Sequence, residues 1–554
     1  MTHTPRTART PTTPPAADIE ECLADLRERW ARARRGRQPA TVRHRAGERT
    51  VPGYVRHWAR ERPDRAAIVT GGQSLGYREL DDVTGRLAGW LADRGVRPGD
   101  RVAVCLPTSV FFAVAFLAIL RLGAVHVPVN PMFRAAEIRH ELDDSGARLV
   151  LSFEPLKDVL EEALSGSEAR GVLLEDVWAD VLAHAPLTDG PVDLDALAAL
   201  NYTGGTTGLP KGVEHTQRHM VYTATAIQNG LPGAEDGIVS LCYLPVFWIA
   251  GENLGILAPL VSGGTSVLLP RWNPAEVLRL IEEHRVTTMA GTVENYLELL
   301  DRPDLADHDL SSLTHPLAVS FVRRLTPDVR ARWRAATGGV LREASYGMTE
   351  THTSDTSTLG FQDGDRDLLG DPVFCGLPVP GTDIMVLDFG TGKPVPPGTP
   401  GEIVVRGPSV LTRYWRAPQA TAAALRDGWL HTGDIGSLDE DGCLRYLGRN
   451  KDMIKVKGMS VFPTEVETLL ARHPDVRAAA VVAVDDEHSG QLPYAYVTTA
   501  PGSALTADGL REWAAGAMAA YKVPVVEIVP ELPMTPTGKI RKTDLAARAA
   551  RGRP

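Results

Sequence analysis

From about Val51 onward, short apolar runs alternate with helical spacings, and this alternation restricts the chain more than any other feature. Residues 101–106 read as a strand, 110–121 as a helix and 124–129 as the next strand. Strands joined through helices pair in parallel, with helices packed over the sheet faces. The longest apolar stretch, 110–120, falls far short of the ~20 residues that span a bilayer, so it reads as a buried helix and no membrane span is expected. Between Leu377 and Leu447 the pattern changes to short strands with Pro/Gly punctuation at 394–401 and a turn at Asp441-Gly442, which predicts a β-rich segment. After Arg449 the earlier pattern returns, with a helix over 463–472 and a strand over 478–484. The expected fold is therefore α/β: a large N-terminal lobe of parallel-rich sheets with helices plus a β-rich subdomain, and a small α+β C-terminal domain joined by a hinge. The expected division is 1–45, a disordered and basic extension with one helix; 46–450, the large domain; and 451–554, the mobile C-terminal domain.

Residues 18–35 have helical spacing at Ile19, Cys22, Leu23, Leu26 and Trp30, and read as a surface helix. The N-terminal residues before it lack the apolar core of a secretory signal. A net charge of −10 argues against nucleic acid as a bulk partner. Five single cysteines, with no C-x-x-C pair, exclude a disulfide scaffold and a cysteine-rich zinc site. They suit a reducing compartment, so a cytoplasmic protein is expected. Its oligomeric state is not legible.

Lysine usage is more pointed. The chain has nine lysines against fifty arginines, and six of the nine fall in three short segments: Lys211; Lys451, Lys455 and Lys457; Lys539 and Lys542. A lysine is a compact point charge that arginine does not imitate where a single oxygen must be gripped. The first segment, Asn201-Tyr-Thr-Gly-Gly-Thr-Thr-Gly-Leu-Pro-Lys-Gly-Val213, follows an apolar run. Glycines at 204 and 205 let backbone N–H groups close around an oxyanion, and Thr203, Thr206, Thr207 and Lys211 add donors. A polyphosphate needs such a cradle, yet the spacing is not that of a Walker A loop.

This segment resembles the phosphate loop of the adenylate-forming enzymes, the superfamily of acyl-CoA synthetases, luciferases and peptide-synthetase adenylation domains. Further segments are similar to that family's signatures and occur in its order. They are Tyr346-Gly-Met-Thr-Glu350, Gly428-Trp-Leu-His-Thr-Gly-Asp434, the run from Gly448-Arg449 to Gly458, and Pro536-Thr-Gly-Lys-Ile-Arg-Lys542. The resemblance implies ATP and Mg²⁺, with coenzyme A as co-substrate. It implies that Tyr346, Gly347 and Thr349 meet the adenine side and that Glu350 serves the metal, bridging it to phosphate oxygens. Asp434 would accept from the ribose hydroxyls, Arg449 would hold ribose or phosphate, and Lys539 would offset charge between the acid and the α-phosphate. The catalytic set expected is Lys539, Glu350 and Thr203. The small domain is expected to rotate about Lys451, bringing a second face to the acyl acceptor.

The acid-binding segments depart from the acyl-CoA synthetase pattern. Trp248 stands where a histidine is usual, Glu294 falls in a second pocket segment, and Ser320-Phe-Val-Arg-Arg-Leu325 replaces a glycine-rich stretch. Trp248, Glu294, Phe321 and Arg323 are therefore the expected pocket residues, with Val322 and Arg324 beside them. Two readings stay open. In one, the loops are remodelled, the new charges face solvent, and a small or aromatic carboxylic acid is adenylated and passed to coenzyme A. In the other, a tight cationic pocket activates nitrite and the enzyme is a diazotase acting on an aromatic amine. A stand-alone adenylation enzyme that loads a carrier protein is a further alternative.

Overall fold

The computed structural model describes residues 16–188, 193–203, 210–320, 323–369, 373–457, 459–486, 488–535 and 539–551. Two sheets carry the alternation seen in the sequence. One has six strands in the order Arg170–Leu173, Leu149–Ser152, Arg101–Val104, Val125–Pro128, Leu197–Thr203 and Lys211–Thr216. Its pairs are parallel except the last, an antiparallel hairpin. The other has seven strands, with Arg342–Glu343 at one edge, an antiparallel hairpin formed by Ala66–Thr70 and Gln73–Gly76 at the other, and parallel pairing between.

The helix Val110–Leu122 belongs to the core shared by these sheets, packing with Val102 and Leu151 of one and Ile68 and Leu268 of the other. A helix apolar on every side needs cover on every side, and this placement provides it. Its ends are fixed locally. Ser109 Oγ accepts the Phe112 N–H at the start, and Gly123 closes the helix at φ +72°. Among the described residues no helix is long and apolar enough to cross a membrane.

The β-rich segment is a third sheet, antiparallel, of seven strands that include Val373–Pro378, Asp383–Leu387, Gly401–Arg406, Trp429–Leu438 and Leu444–Arg449. The helix Ala16–Arg34 lies on it. Leu23, Leu26 and Trp30 are buried in its core with Phe374, Met385 and Trp429. Trp30 Nε1 donates to the Gly442 carbonyl at 2.9 Å, and Arg27 makes a two-point ion pair with Asp383. The spacing at 19, 23, 26 and 30 gave an apolar stripe. Burying such side chains contributes roughly 1.5–3 kcal/mol each, so the stripe takes a partner rather than lying loose on the surface.

From Arg449 the chain leaves this sheet through a short 3₁₀ turn, Asn450–Asp452, and enters a five-stranded sheet made of Ile454–Val456, Met459–Val461, Val476–Asp486, Gly490–Thr499 and Val525–Ile528. The helices Pro463–Leu470 and Ala507–Ala517 complete its core through Val466, Leu470, Leu510 and Ala514. Lys451 stands in the middle of the connecting turn.

Candidate active site

The phosphate-loop segment begins and ends on the antiparallel strand pair at the edge of the six-stranded sheet. Thr203 ends one strand, Lys211 begins the next, and the two are cross-strand partners. Gly204, Gly205, Thr206 and Thr207 lie outside the described residues. The Lys211 ammonium sits 4.8 Å from the ring centre of Tyr414, a cation–π distance. The Tyr414 hydroxyl donates to Glu350 Oε1 at 2.8 Å. The Glu350 carbonyl in turn accepts the Leu411 N–H at 2.7 Å, which ties down its main chain. Burial and the neighbouring Glu350 carboxylate both push the Tyr414 phenol up, so it stays a donor. Sequence reasoning missed Tyr414. It reaches the site because Tyr414 bridges antiparallel to Val213, and no local pattern announces that pairing.

Glu350 is a single carboxylate. Among the described residues no group of three or more His, Cys, Asp or Glu side chains is placed to hold a metal. That donor set does not make a resident metal site. It fits Mg²⁺, which keeps several waters and is gripped by one or two carboxylates together with substrate phosphates.

The nucleoside side is built from the antiparallel sheet. Asp434 and Arg449 are cross-strand partners, with Arg449 Nε 3.3 Å from Asp434 Oδ1. The Tyr346 hydroxyl donates to the other oxygen, Oδ2, at 2.8 Å. Asp434 is 4% exposed, and Oδ1 lacks a hydrogen-bond partner among the described residues. Arg449 balances the charge at that oxygen without donating a hydrogen bond to it, which leaves Oδ1 able to accept from a ribose hydroxyl. Burial pushes the Asp434 carboxyl up, while Arg449 and the Tyr346 hydroxyl pull it back. Lys539 lies close enough for its charge to act on Asp434. Although Lys539 is open to solvent, the protein crowding its ammonium and the charge of Arg449 both lower its pKa, with Asp434 opposing them.

Two residues are placed differently from their expected parts. Tyr346 is 7% exposed and packs into the core of the antiparallel sheet, so little of the flat face expected for adenine is open. Its hydroxyl instead orients Asp434. At Gly347 a Cβ would stand 1.8 Å from the Thr353 carbonyl oxygen, so that backbone approach by itself requires a glycine. Thr349 contributes its carbonyl, 2.8 Å from His215 Nε2.

The acid-side residues need a larger correction. Trp248 is half-buried at the start of the short helix Ile249–Glu252. Glu294 and Arg323, expected as charges in a substrate pocket, are engaged with main-chain groups instead. The Arg323 main-chain N–H donates to Glu294 Oε1 at 3.0 Å, and Arg323 Nε donates to the Arg477 carbonyl at 3.4 Å. Arg324 Nη2 donates to Thr468 Oγ1 at 3.1 Å. Long arginine stems reach across to the C-terminal sheet and its helix, where acceptors are available. The loop is pinned by buried Glu343, which accepts from both the N–H and the hydroxyl of Ser320 at 3.2 and 2.6 Å. Phe321 and Val322 lie outside the described residues.

Comparison with known proteins agrees with this geometry. The family model described as AMP-binding enzyme matches residues 55–415, and the AMP-binding enzyme C-terminal domain matches 465–539. A feruloyl-CoA synthase from Amycolatopsis sp is 35% identical over 494 residues, covering 88% of this chain and 97% of the relative. The 4-coumarate–CoA ligase 5 of Oryza sativa subsp. japonica is 33% identical over 517 residues, covering 90% and 95%. Among solved structures, an anthranilate–CoA ligase in complex with anthranoyl-AMP superposes with a TM-score of 0.81 at 27% identity, covering 91% of this chain and 97% of that one.

Proposed function

This chain belongs to the AMP-binding enzyme family, and on that premise we propose that it is an ATP-dependent, AMP-forming ligase that adenylates an aromatic carboxylic acid and transfers the acyl group to coenzyme A. One observation carries the reading: the open acceptor of Asp434 stands with Arg449 and Lys539, on the side of the molecule that Glu350, Tyr414 and Lys211 complete. A ribose-seeking carboxylate within reach of the charges of Lys539 and Glu350 suits a nucleotide whose reacting atom is the innermost phosphorus.

The chemistry follows from that layout. An oxygen of the acid's carboxylate attacks the α-phosphorus of ATP, and the bond to the bridging oxygen of pyrophosphate breaks. Two anions must approach, so the barrier is largely electrostatic and positional. Lys539 offsets the charge between carboxylate and α-phosphate. Thr203 and Lys211 hold the leaving phosphates, and Asp434 with Arg449 fixes the ribose. Glu350 is the residue that would hold Mg²⁺, which supplies charge neutralisation to the phosphates when bound. In the second step the thiol sulfur of coenzyme A bonds to the acyl carbon, the acyl–phosphate C–O bond breaks, and AMP leaves. Lys451, in the turn between the two sheets, is the proposed pivot between the steps. Because both co-substrates are intracellular metabolites and all five cysteines are free, the proposed compartment is the cytoplasm.

An aromatic acid is favoured by the relatives, which are named for coumarate, ferulate and anthranilate. The cationic pocket on which nitrite activation depended is not what Arg323 and Arg324 form, since both turn toward the C-terminal unit. The test is pyrophosphate release across hydroxycinnamic acids, benzoic acids carrying an amino or hydroxyl group, short aliphatic acids and nitrite, each with coenzyme A. The expected result is release coupled to thioester formation with an aryl acid. Release with nitrite alone, in the presence of an arylamine, would overturn it.

A further inference from the structure

The loop that follows the strand His315–Val319 leaves the seven-stranded sheet where the site is built. Two parallel neighbours end at the same side of the sheet. Thr288–Thr292 runs into the helix that carries Glu294, and Arg342–Glu343 runs on to Tyr346 and Glu350. Loops beyond the carboxyl ends of parallel strands line the ligand crevice of such a sheet. This one is held at several points. Buried Glu343 accepts the Ser320 N–H and hydroxyl, Ser320 Oγ accepts the Leu325 N–H at 3.1 Å, and Glu294 accepts the Arg323 N–H. Arginine side chains on a loop fixed in this way have a fixed origin, and both cross to another unit of the molecule.

Arg324 Nη2 donates to Thr468 Oγ1 at 3.1 Å, on the helix Pro463–Leu470 of the C-terminal unit. The Thr468 hydroxyl gives its own proton to the Thr464 carbonyl at 2.7 Å, so its oxygen is free to accept. Arg323 adds a longer bond, 3.4 Å, to the Arg477 carbonyl on the strand Val476–Asp486. The same helix is met at its start by a small apolar seam, in which Phe462 and Met453 pack with Ile435 and Leu447 of the antiparallel sheet. Apolar contact beside the turn Asn450–Asp452 is non-directional and tolerates rotation about that turn. A hydrogen bond further along the helix is directional and fixes the angle. It is also readily released. Arg324 and Thr468 are both half-buried, and water replaces such a bond at a small net cost, as suits units that must part.

We propose that Arg324 is a positioning residue for adenylation: from the crevice loop it latches Thr468, holding the C-terminal unit where Lys539 meets the nucleotide, and it lets go when acyl transfer requires that unit to turn. Arg323 is the weaker second tie. The inference rests on the two-step reading above and on Lys539 serving the first step. It gives the arginines at 323 and 324, which stand where relatives carry a glycine-rich stretch, a part in the order of the two reactions rather than in recognition of the acid.

The test measures the two half-reactions separately on the full chain, with the aryl acid of the panel above that releases most pyrophosphate. Arg324→Ala is expected to slow pyrophosphate exchange by about 3–10-fold, the scale for one hydrogen bond from a charged donor when the rate follows the docked fraction. Thioester formation from the synthetic acyl-adenylate and coenzyme A is expected to stay at or above the wild-type rate. Thr468→Val keeps the side-chain shape, removes the acceptor from the other partner and is expected to show the same split. The double variant is expected to fall no more than about 2-fold below either single one, because both delete one contact. Losses that multiply would overturn the latch. Equal slowing of both half-reactions by Arg324→Ala, or slowing of neither, would overturn it as well. Lys539→Ala separates this inference from the reading beneath it. If that variant loses exchange while Arg324→Ala keeps it, the latch falls and the role of Lys539 stands. If Lys539→Ala keeps wild-type exchange, the assignment of Lys539 fails and the latch with it.

Discussion

Replacing Lys539 by alanine is expected to slow adenylate formation by about 10²–10³-fold, the range for removing one preorganised charge donor from a developing anion. The same variant should convert a preformed acyl-adenylate and coenzyme A to thioester at close to the wild-type rate. The reason for the split is local. Lys539 acts on Asp434 from the segment that follows the last strand of the C-terminal sheet, so it meets the nucleotide only while that sheet is docked as seen here. The acyl-transfer step breaks a different bond and gains nothing from a cation between carboxylate and α-phosphate. Half-reactions measured separately, by pyrophosphate exchange and by thioester formation from synthetic adenylate, check both parts. Equal losses in both would show that Lys539 supports the fold or the docked arrangement rather than the first step.

Asp434→Ala is expected to lower kcat/KM for ATP by about 10²-fold, carried mainly by KM. Hydrogen bonds from ribose hydroxyls to a buried carboxylate are charge-assisted and contribute about 1.5–3 kcal/mol each. They are made alike in ground and transition states, so their loss appears in binding rather than in turnover. Arg449 would also lose the carboxylate that it faces at 3.3 Å. Tyr346→Phe leaves both Asp434 oxygens in place and removes only the hydroxyl that orients one of them, so a smaller loss, roughly 3–10-fold, is expected. An Asp434→Ala protein with unchanged KM for ATP, folded as judged by its melting profile, would remove ribose recognition from this residue.

Much of this architecture is legible in the chain because local chemistry dictates it. The fully apolar run around Phe112–Leu120 demands burial on all sides, and a Thr/Gly-rich stretch before a lone lysine in an arginine-rich chain marks the phosphate hairpin. The helix bearing Leu23, Leu26 and Trp30 was legible as amphipathic, but its partner sheet lies hundreds of residues away and periodicity does not name it. Tyr414 escaped for a related reason. It reaches Glu350 through a strand bridge to Val213, a pairing between segments some two hundred residues apart. Glu294 and Arg323 show the opposite error. A charge placed by analogy of position was read as lining a pocket, yet arginine carries its guanidinium far from its own Cα. Here it ends on the Arg477 carbonyl instead.

The claim on which everything else depends is that the acid's carboxylate bonds to the α-phosphorus of ATP. The most direct measurement uses an aryl acid with both carboxylate oxygens labelled with ¹⁸O, turned over with ATP and coenzyme A, followed by mass spectrometry of every phosphorus-containing product. The account predicts one labelled oxygen in AMP, left there when the thiol displaces it from the acyl carbon, and none in pyrophosphate. Unlabelled AMP, or label recovered in pyrophosphate or inorganic phosphate, would contradict it.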